Sequence, residues 1–166
     1  MAFVSASDEE VASVRERCQG FREQTQEMGL PEPVWFWIPF GRDHISYRQS
    51  DLGGEPLAAA RAFLREAKEN TDAVIAAEYG FVPVLIRAAR AEGIRFGSDL
   101  MLASIDGDEL SPYGMPYPYM KQDEVAIAEK AMELLIGRIK GESIAREDYL
   151  FAALYRPGNG AFDDDI

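Results

Sequence analysis

From Ala2 to Tyr155, short apolar runs alternate with stretches whose apolar residues recur every three or four positions. "MAFVSA", residues 1–6, predicts a strand, and "SVRERCQGFREQTQEMG", residues 13–29, predicts a helix with Val14, Cys18 and Phe21 on one face. Two overlapping capping boxes compete to start that helix, Ser7 with Glu10 and Ser13 with Glu16. Gly29, Leu30 and Pro31 end it. "VWFWIPF", residues 34–40, is too apolar for a half-exposed strand and predicts a central strand covered on both faces. Residues 41–54 are polar and predict the longest loop.

The pattern then repeats. "PLAAARAFLREAKE" predicts a helix with Leu57, Ala60, Leu64 and Ala67 inward, and "DAVIAA" a strand. Val82, Leu85, Ile86 and Ala89 mark a further helix closed by Gly93, followed by the strand "DLMLASID", residues 99–106. The proline-rich "GDELSPYGMPYPYM" predicts a connection or an extended crossing segment. Asp123 is placed to cap "EVAIAEKAMELLIGRIKG", whose Ile127, Ala131, Leu134, Leu135 and Ile139 are apolar. "DYLFAALY" predicts a last strand, and the acidic residues 163–165 a disordered tail.

Such alternation specifies an α/β fold, a parallel sheet joined by right-handed crossovers and flanked by helices on both faces. Ligands of such sheets bind outside the carboxyl ends of the strands. Those ends are expected at residues 5–7, 40–43, 77–79 and 105–108.

Composition narrows the chemistry available there. One cysteine, Cys18, forms no internal disulfide, and with one histidine, His44, no thiolate or imidazole metal cluster can be assembled. A net charge of -12 repels a phosphate backbone, so any contact with DNA is expected through a segment outside this chain. No run resembles a membrane span or a signal peptide, and a cytoplasmic protein without membrane partners is expected.

The first strand end carries none of the glycines of a dinucleotide site, and neither a phosphate-loop signature nor a hydrolase serine elbow occurs. Asp106 and Asp108 form a D-x-D pair that could hold magnesium, which leaves a small metal-dependent phosphotransfer enzyme as one reading. Carboxylates, arginines and aromatics without a nucleophile and base pair instead suit binding of a neutral polyol. Neither a resident metal nor a cofactor is expected, and binding is favoured over catalysis.

The residues also resemble a known family. "IAAEYGFVPVLIRAARAEGIRFGSDLMLASIDGDE" and "MKQDEVAIAEKAMELLIGRIKGE" are similar to the C-terminal half of the effector-binding domain of LacI/GalR-family transcriptional regulators. In that family a strand ending in Asn-Asp enters a helix containing an R-A pair, and the next strand ends in aspartate. A V-[RK]-Q segment then precedes an A-x3-L-L-x2-I-x-G helix. "RCQGF", residues 17–21, resembles the family's R-x-x-G-aromatic pattern after a capping serine, which favours Ser13 as the cap. The resemblance runs from about Ala2 to Tyr155.

It implies a periplasmic-binding-protein type I fold, in which two α/β lobes close on a sugar or nucleobase behind a helix-turn-helix. Residues 1–122 and 146–156 would form one lobe, and residues 123–141 the helix that packs on the other lobe. Residues 159–166 would be the tail. With one lobe and no helix-turn-helix, the chain is expected to begin at a boundary inside a longer protein. The partner implied is a small effector, a sugar or similar polyol.

By the same resemblance Arg17 and Asp106 are expected to contact the effector. Glu78 and Tyr79 stand where the family has asparagine and aspartate. A carboxylate at Glu78 accepts hydrogen bonds but cannot donate them, so the ligand should present donors there, unless Glu78 only complements a helix dipole. Phe40 and Tyr47 are candidates to stack on a sugar ring. Lys121 and Gln122 match the crossing segment and suggest a hinge. Trp35, Trp37 and Cys18 are expected in the core. The family's dimerisation places Phe81, Leu85 and Tyr113 at a homodimer interface. A transport-type sugar-binding protein, which would need an export signal upstream, is the alternative reading.

Overall fold

The computed structural model describes residues 1–6, 11–38, 54–107, 115–160 and 162. In chain order these form β1 (Ala2–Ala6), α1 (Ala12–Glu27), β2 (Val34–Ile38), α2 (Gly54–Asn70) and β3 (Ala73–Ala76). A single 3-10 turn (Tyr79–Phe81) leads into α3 (Val82–Ala91), followed by β4 (Met101–Ile105), β5 (Tyr119–Lys121), α4 (Glu124–Ile139) and β6 (Leu154–Arg156). The strands make one sheet in the order β2-β1-β3-β4-β5-β6. β1 to β5 are parallel, and β6 returns antiparallel to β5.

The order of the strands reverses direction at β1. The chain steps from β1 outward to β2, then crosses back over β1 to β3 and continues to β4. With right-handed crossovers a reversal of direction changes the face on which the connecting helix lies. Ring contacts show both faces covered: Phe3 of β1 stacks on Phe21 of α1 at 4.6 Å, while Phe36 of β2 stacks on Phe63 of α2 at 4.3 Å. α3 packs beside α2, and Arg61 of α2 holds Glu92 at the end of α3 at 2.6 Å. Phe3, Val4, Leu64, Val74, Val84, Leu85 and Leu102 lie fully buried between these layers.

Four expectations are corrected. β2 is an edge strand, not a central one; its apolar run fits because Trp35 packs against Phe3 and Phe21 on one face while Phe36 meets α2 on the other. Ser13 does not cap α1. The extended backbone that a cap requires occurs at Val11 (φ -75, ψ 117), so Ser13 already lies in the first helical turn; Ser7 and Glu10 lie outside the described residues. The last strand is confined to Leu154–Arg156, and residues 142–153 have no regular structure. The start of the expected tail is docked, since Asn159 N–H donates to the Met115 carbonyl at 2.8 Å and Phe162 packs against the core; residues 161 and 163–166 lie outside the description.

α4 stands apart from this packing. Its N-terminus is capped as expected, with Asp123 Oδ1 accepting from Ala126 N–H at 3.0 Å. Gly137 is its one buried residue, under Ile144 and Glu142 of the segment that follows. Val125, Ile127, Met132, Leu135, Ile136 and Ile139 are exposed, as are Leu150, Leu154 and Tyr155 beyond the helix. None of the helices among the described residues is long and apolar enough to cross a membrane.

Candidate functional site

The register of the sheet brings the predicted residues to one place. Ala76 of β3 pairs with Ser104 of β4, so Glu78 and Asp106, each two residues further on, leave neighbouring strands at the same level. Arg17 reaches them from α1, which follows β1. The site therefore sits where the strand order reverses, between β1 and β3, the switch point at which open α/β sheets leave a crevice.

Arg17 is fixed by one hydrogen bond and flanked by two carboxylates. Its Nη1 donates to the Ala77 carbonyl at 2.9 Å. The same nitrogen lies 3.4 Å from Glu78 Oε1, and Nη2 lies 3.5 Å from Asp106 Oδ2. The carboxylate distances are those of ion pairs rather than short hydrogen bonds. A guanidinium has five N–H donors, so this geometry orients the group while leaving donors for a ligand. The side chains of Arg17, Glu78 and Asp106 are 18%, 29% and 28% exposed, withdrawn from bulk water yet reachable.

Glu78 precedes the 3-10 turn in an extended conformation and makes no side-chain cap. Its carboxylate faces Arg17. Tyr79, next in sequence, begins the turn and is half-buried against the core.

Asp106 carries the clearest marks of a specialised position. Its backbone is left-handed, φ 64, the one such non-glycine among the described residues. Aspartate tolerates this region better than most side chains, but the conformation still costs free energy that the surroundings must offset. Ser104 Oγ–H donates to the Asp106 carbonyl, and Gln122 Nε2 donates to Asp106 Oδ2 at 2.6 Å. Oδ1 is buried without a hydrogen-bond partner among the described residues, as is Ser5 Oγ in β1.

Gln122 was not foreseen as part of the site. Sequence reading gave it only a hinge role, because the bond to Asp106 joins residues 16 apart through the crossing segment. Phe40 and Tyr47 lie outside the described residues, as do His44, Asp108 and Tyr113. Among the described residues no three His, Cys, Asp or Glu side chains form a metal cluster. Trp35 and Trp37 stack on each other at 5.9 Å against the core, and Cys18 is buried.

Phe81 and Leu85, expected at a subunit interface, are both fully buried inside this lobe. Phe81 ends the 3-10 turn and Leu85 lies on α3.

The periplasmic binding protein-like domain family matches residues 1–156. Among solved structures, the transcriptional regulator CelR in complex with cellobiose is 22% identical with a TM-score of 0.74, covering 96% of this chain and 46% of that one. A regulatory protein of the LacI family from Chloroflexus aggregans is 19% identical with a TM-score of 0.74, covering 96% and 54%. A periplasmic binding protein/LacI transcriptional regulator from Alkaliphilus metalliredigens, complexed with D-xylulofuranose, is 17% identical with a TM-score of 0.67, covering 93% and 55%. The chain thus spans about half the length of these structures, and the likeness is one of fold. No curated protein matches the chain.

Proposed function

Since the chain belongs to the periplasmic binding protein-like domain family, we propose that it is the C-terminal lobe of the effector-binding domain of a LacI-type transcriptional regulator. In this reading the lobe binds a sugar or similar polyol in the cytoplasm, without catalysis, and DNA is contacted by a helix-turn-helix outside this chain. The convergence of Arg17, Glu78 and Asp106 at the strand-order reversal carries the proposal. Two carboxylates and one guanidinium offer acceptors and donors spaced for neighbouring hydroxyls, and a second lobe would close over them.

Gln122 would couple the ligand to the closing motion. It holds Asp106 from the crossing segment, one residue before the cap of α4. A ligand that moves Asp106 therefore acts directly on the connection between lobes, and it shifts the equilibrium only by as much as it prefers one arrangement. The exposed apolar face of α4 would pack on the other lobe, and the regulator would work as a homodimer through surfaces other than Phe81 and Leu85. A transport-type sugar-binding protein remains the second reading, favoured by the relative whose description joins both roles.

The test is calorimetric titration of the full-length protein with mono- and disaccharides, alongside Arg17→Ala and Asp106→Asn. Asparagine tolerates the left-handed backbone, so Asp106→Asn removes charge without new strain. At least one sugar should bind, and each substitution should weaken it about tenfold or more, as loss of a charge-assisted hydrogen bond does. Sugar affinity untouched by both substitutions would overturn the proposed site.

A further inference from the structure

A second cleft lies at the opposite end of the lobe from the strand ends discussed above. It occupies about 330 Å3 between the end of α3, the turn before β4 and the C-terminal segment, and Arg90, Arg95, Phe96, Gly97, Ser98 and Phe162 line it. Its apolar floor is built by packing: Phe96 is buried, its ring 6.3 Å from that of Phe162. The Phe162 ring lies over Gly97, where an added Cβ would come within 3.1 Å of it. The segment carrying Phe162 is held by Asn159 and Gly160, whose N–H groups donate to the carbonyls of Met115 and Pro116 at 2.8 and 3.1 Å.

Charge at this cleft runs against the rest of the molecule. The chain carries a net -12, yet Arg90 has no ion-pair partner among the described residues. Glu92, two residues on, is already taken by Arg61 at 2.6 Å and Arg65 at 3.4 Å. Arg95 has only a long pairing with Asp99, 3.7 Å, because that carboxylate accepts the Arg95 backbone N–H through its other oxygen at 2.9 Å. Two guanidiniums and the exposed Ser98 hydroxyl thus stand beside an aromatic floor. That combination matches an oxyanion attached to a flat apolar body: guanidinium geometry fits phosphate or carboxylate oxygens, and the rings cover the body. The volume falls within the range of small-molecule pockets.

We infer that this cleft binds a small molecule with a phosphate or carboxylate head on an aromatic body, separately from any ligand at Arg17, Glu78 and Asp106. Such a molecule would bridge α3, the turn before β4 and the segment that carries Phe162.

Phenyl phosphate is the probe, with inorganic phosphate and phenol as its two halves and benzoate as the alternative head. Titration of the chain followed by amide NMR should move the Gly97 and Ser98 resonances with phenyl phosphate or benzoate, and less with either half alone. Arg90→Ala and Arg95→Ala should each weaken binding about tenfold, and both residues are exposed, so the fold should persist with an unchanged thermal midpoint. No shift at Gly97 and Ser98 with any probe, or shifts unaffected by both substitutions, would overturn the inference. Binding that emerges only after Asp163, Asp164 and Asp165 are replaced by asparagine would also overturn it, since the chain's own carboxylates would then be the occupant. Because the readout is local, this result is independent of sugar binding at the other end.

Discussion

Asp106 and Asp99 are both aspartates near the ends of one strand, and their surroundings give them different work. Asp106, past the carboxyl end of β4, holds a left-handed backbone and faces Arg17 and Gln122. Asp99, before the strand, accepts the Arg95 backbone N–H, and that bond holds its carboxyl below the ordinary value of 3.8. Burial opposes the shift, and the Arg95 guanidinium and Lys68 add to it. A carboxyl with a lowered folded pKa contributes stability above its unfolded value and loses it as the pH falls through the folded value. Asp99→Asn should therefore be less stable than the parent at neutral pH, and the gap should narrow as the pH drops below 3.8, measured by thermal unfolding at a series of acid pH values. A gap that stays constant would mean that the Asp99 charge does not contribute. At this scale periodicity located the strand ends, the family resemblance singled out Arg17, Glu78 and Asp106 there, and the structure brings the three together. The cleft at Arg90 and Arg95 was not legible, since its walls come from three distant stretches and its charge imbalance depends on which carboxylates are already engaged.

The elements themselves were mostly legible, and the errors have a common cause. Alternation and helical spacing placed β1, α1, α2, β3, α3, β4 and α4 within a few residues of where they lie. Strand order is different: it is set by crossovers and packing that a linear pattern does not encode. β2 reads as a central strand because both its faces are apolar, and helices do cover both faces, yet it has a strand neighbour on one side alone. Phe63 tests this account. It lies 8% exposed on α2, in stacked contact with Phe36 of β2. If α2 covers that face, Phe63→Ala removes a large buried ring and should cost about 3 kcal/mol in urea unfolding. A loss well under about 1 kcal/mol would mean that the edge strand does not depend on α2. The capping error has a similar origin: serine followed by glutamate signals a helix start, yet the backbone turned helical at Ala12, before Ser13 could serve.

At the scale of the whole molecule, one surface is out of keeping with a self-sufficient chain. Val125, Ile127, Met132, Leu135, Ile136 and Ile139 on α4, together with Leu150 and Leu154, expose apolar area while the sheet has a complete core of its own. Contiguous apolar surface of this kind marks an interface. In a protein whose solved relatives are about twice as long, the proposed cover is the other lobe. The chain on its own should then associate through the same face, which sedimentation would show as a mass that rises with concentration. Leu135→Glu with Ile139→Glu should return it to a monomer, and the thermal midpoint should hardly move, because both side chains are already in water, 51% and 76% exposed. Stabilisation is not the point of the substitution; a charge on this face opposes burial against any apolar surface. The same pair placed in the full-length protein should loosen the lobes and weaken sugar binding at Arg17 and Asp106 without touching either residue. If the isolated chain stays monomeric at every concentration and the full-length variant binds sugar unchanged, α4 does not join the lobes, and the coupling route through Gln122 has no second lobe to act on.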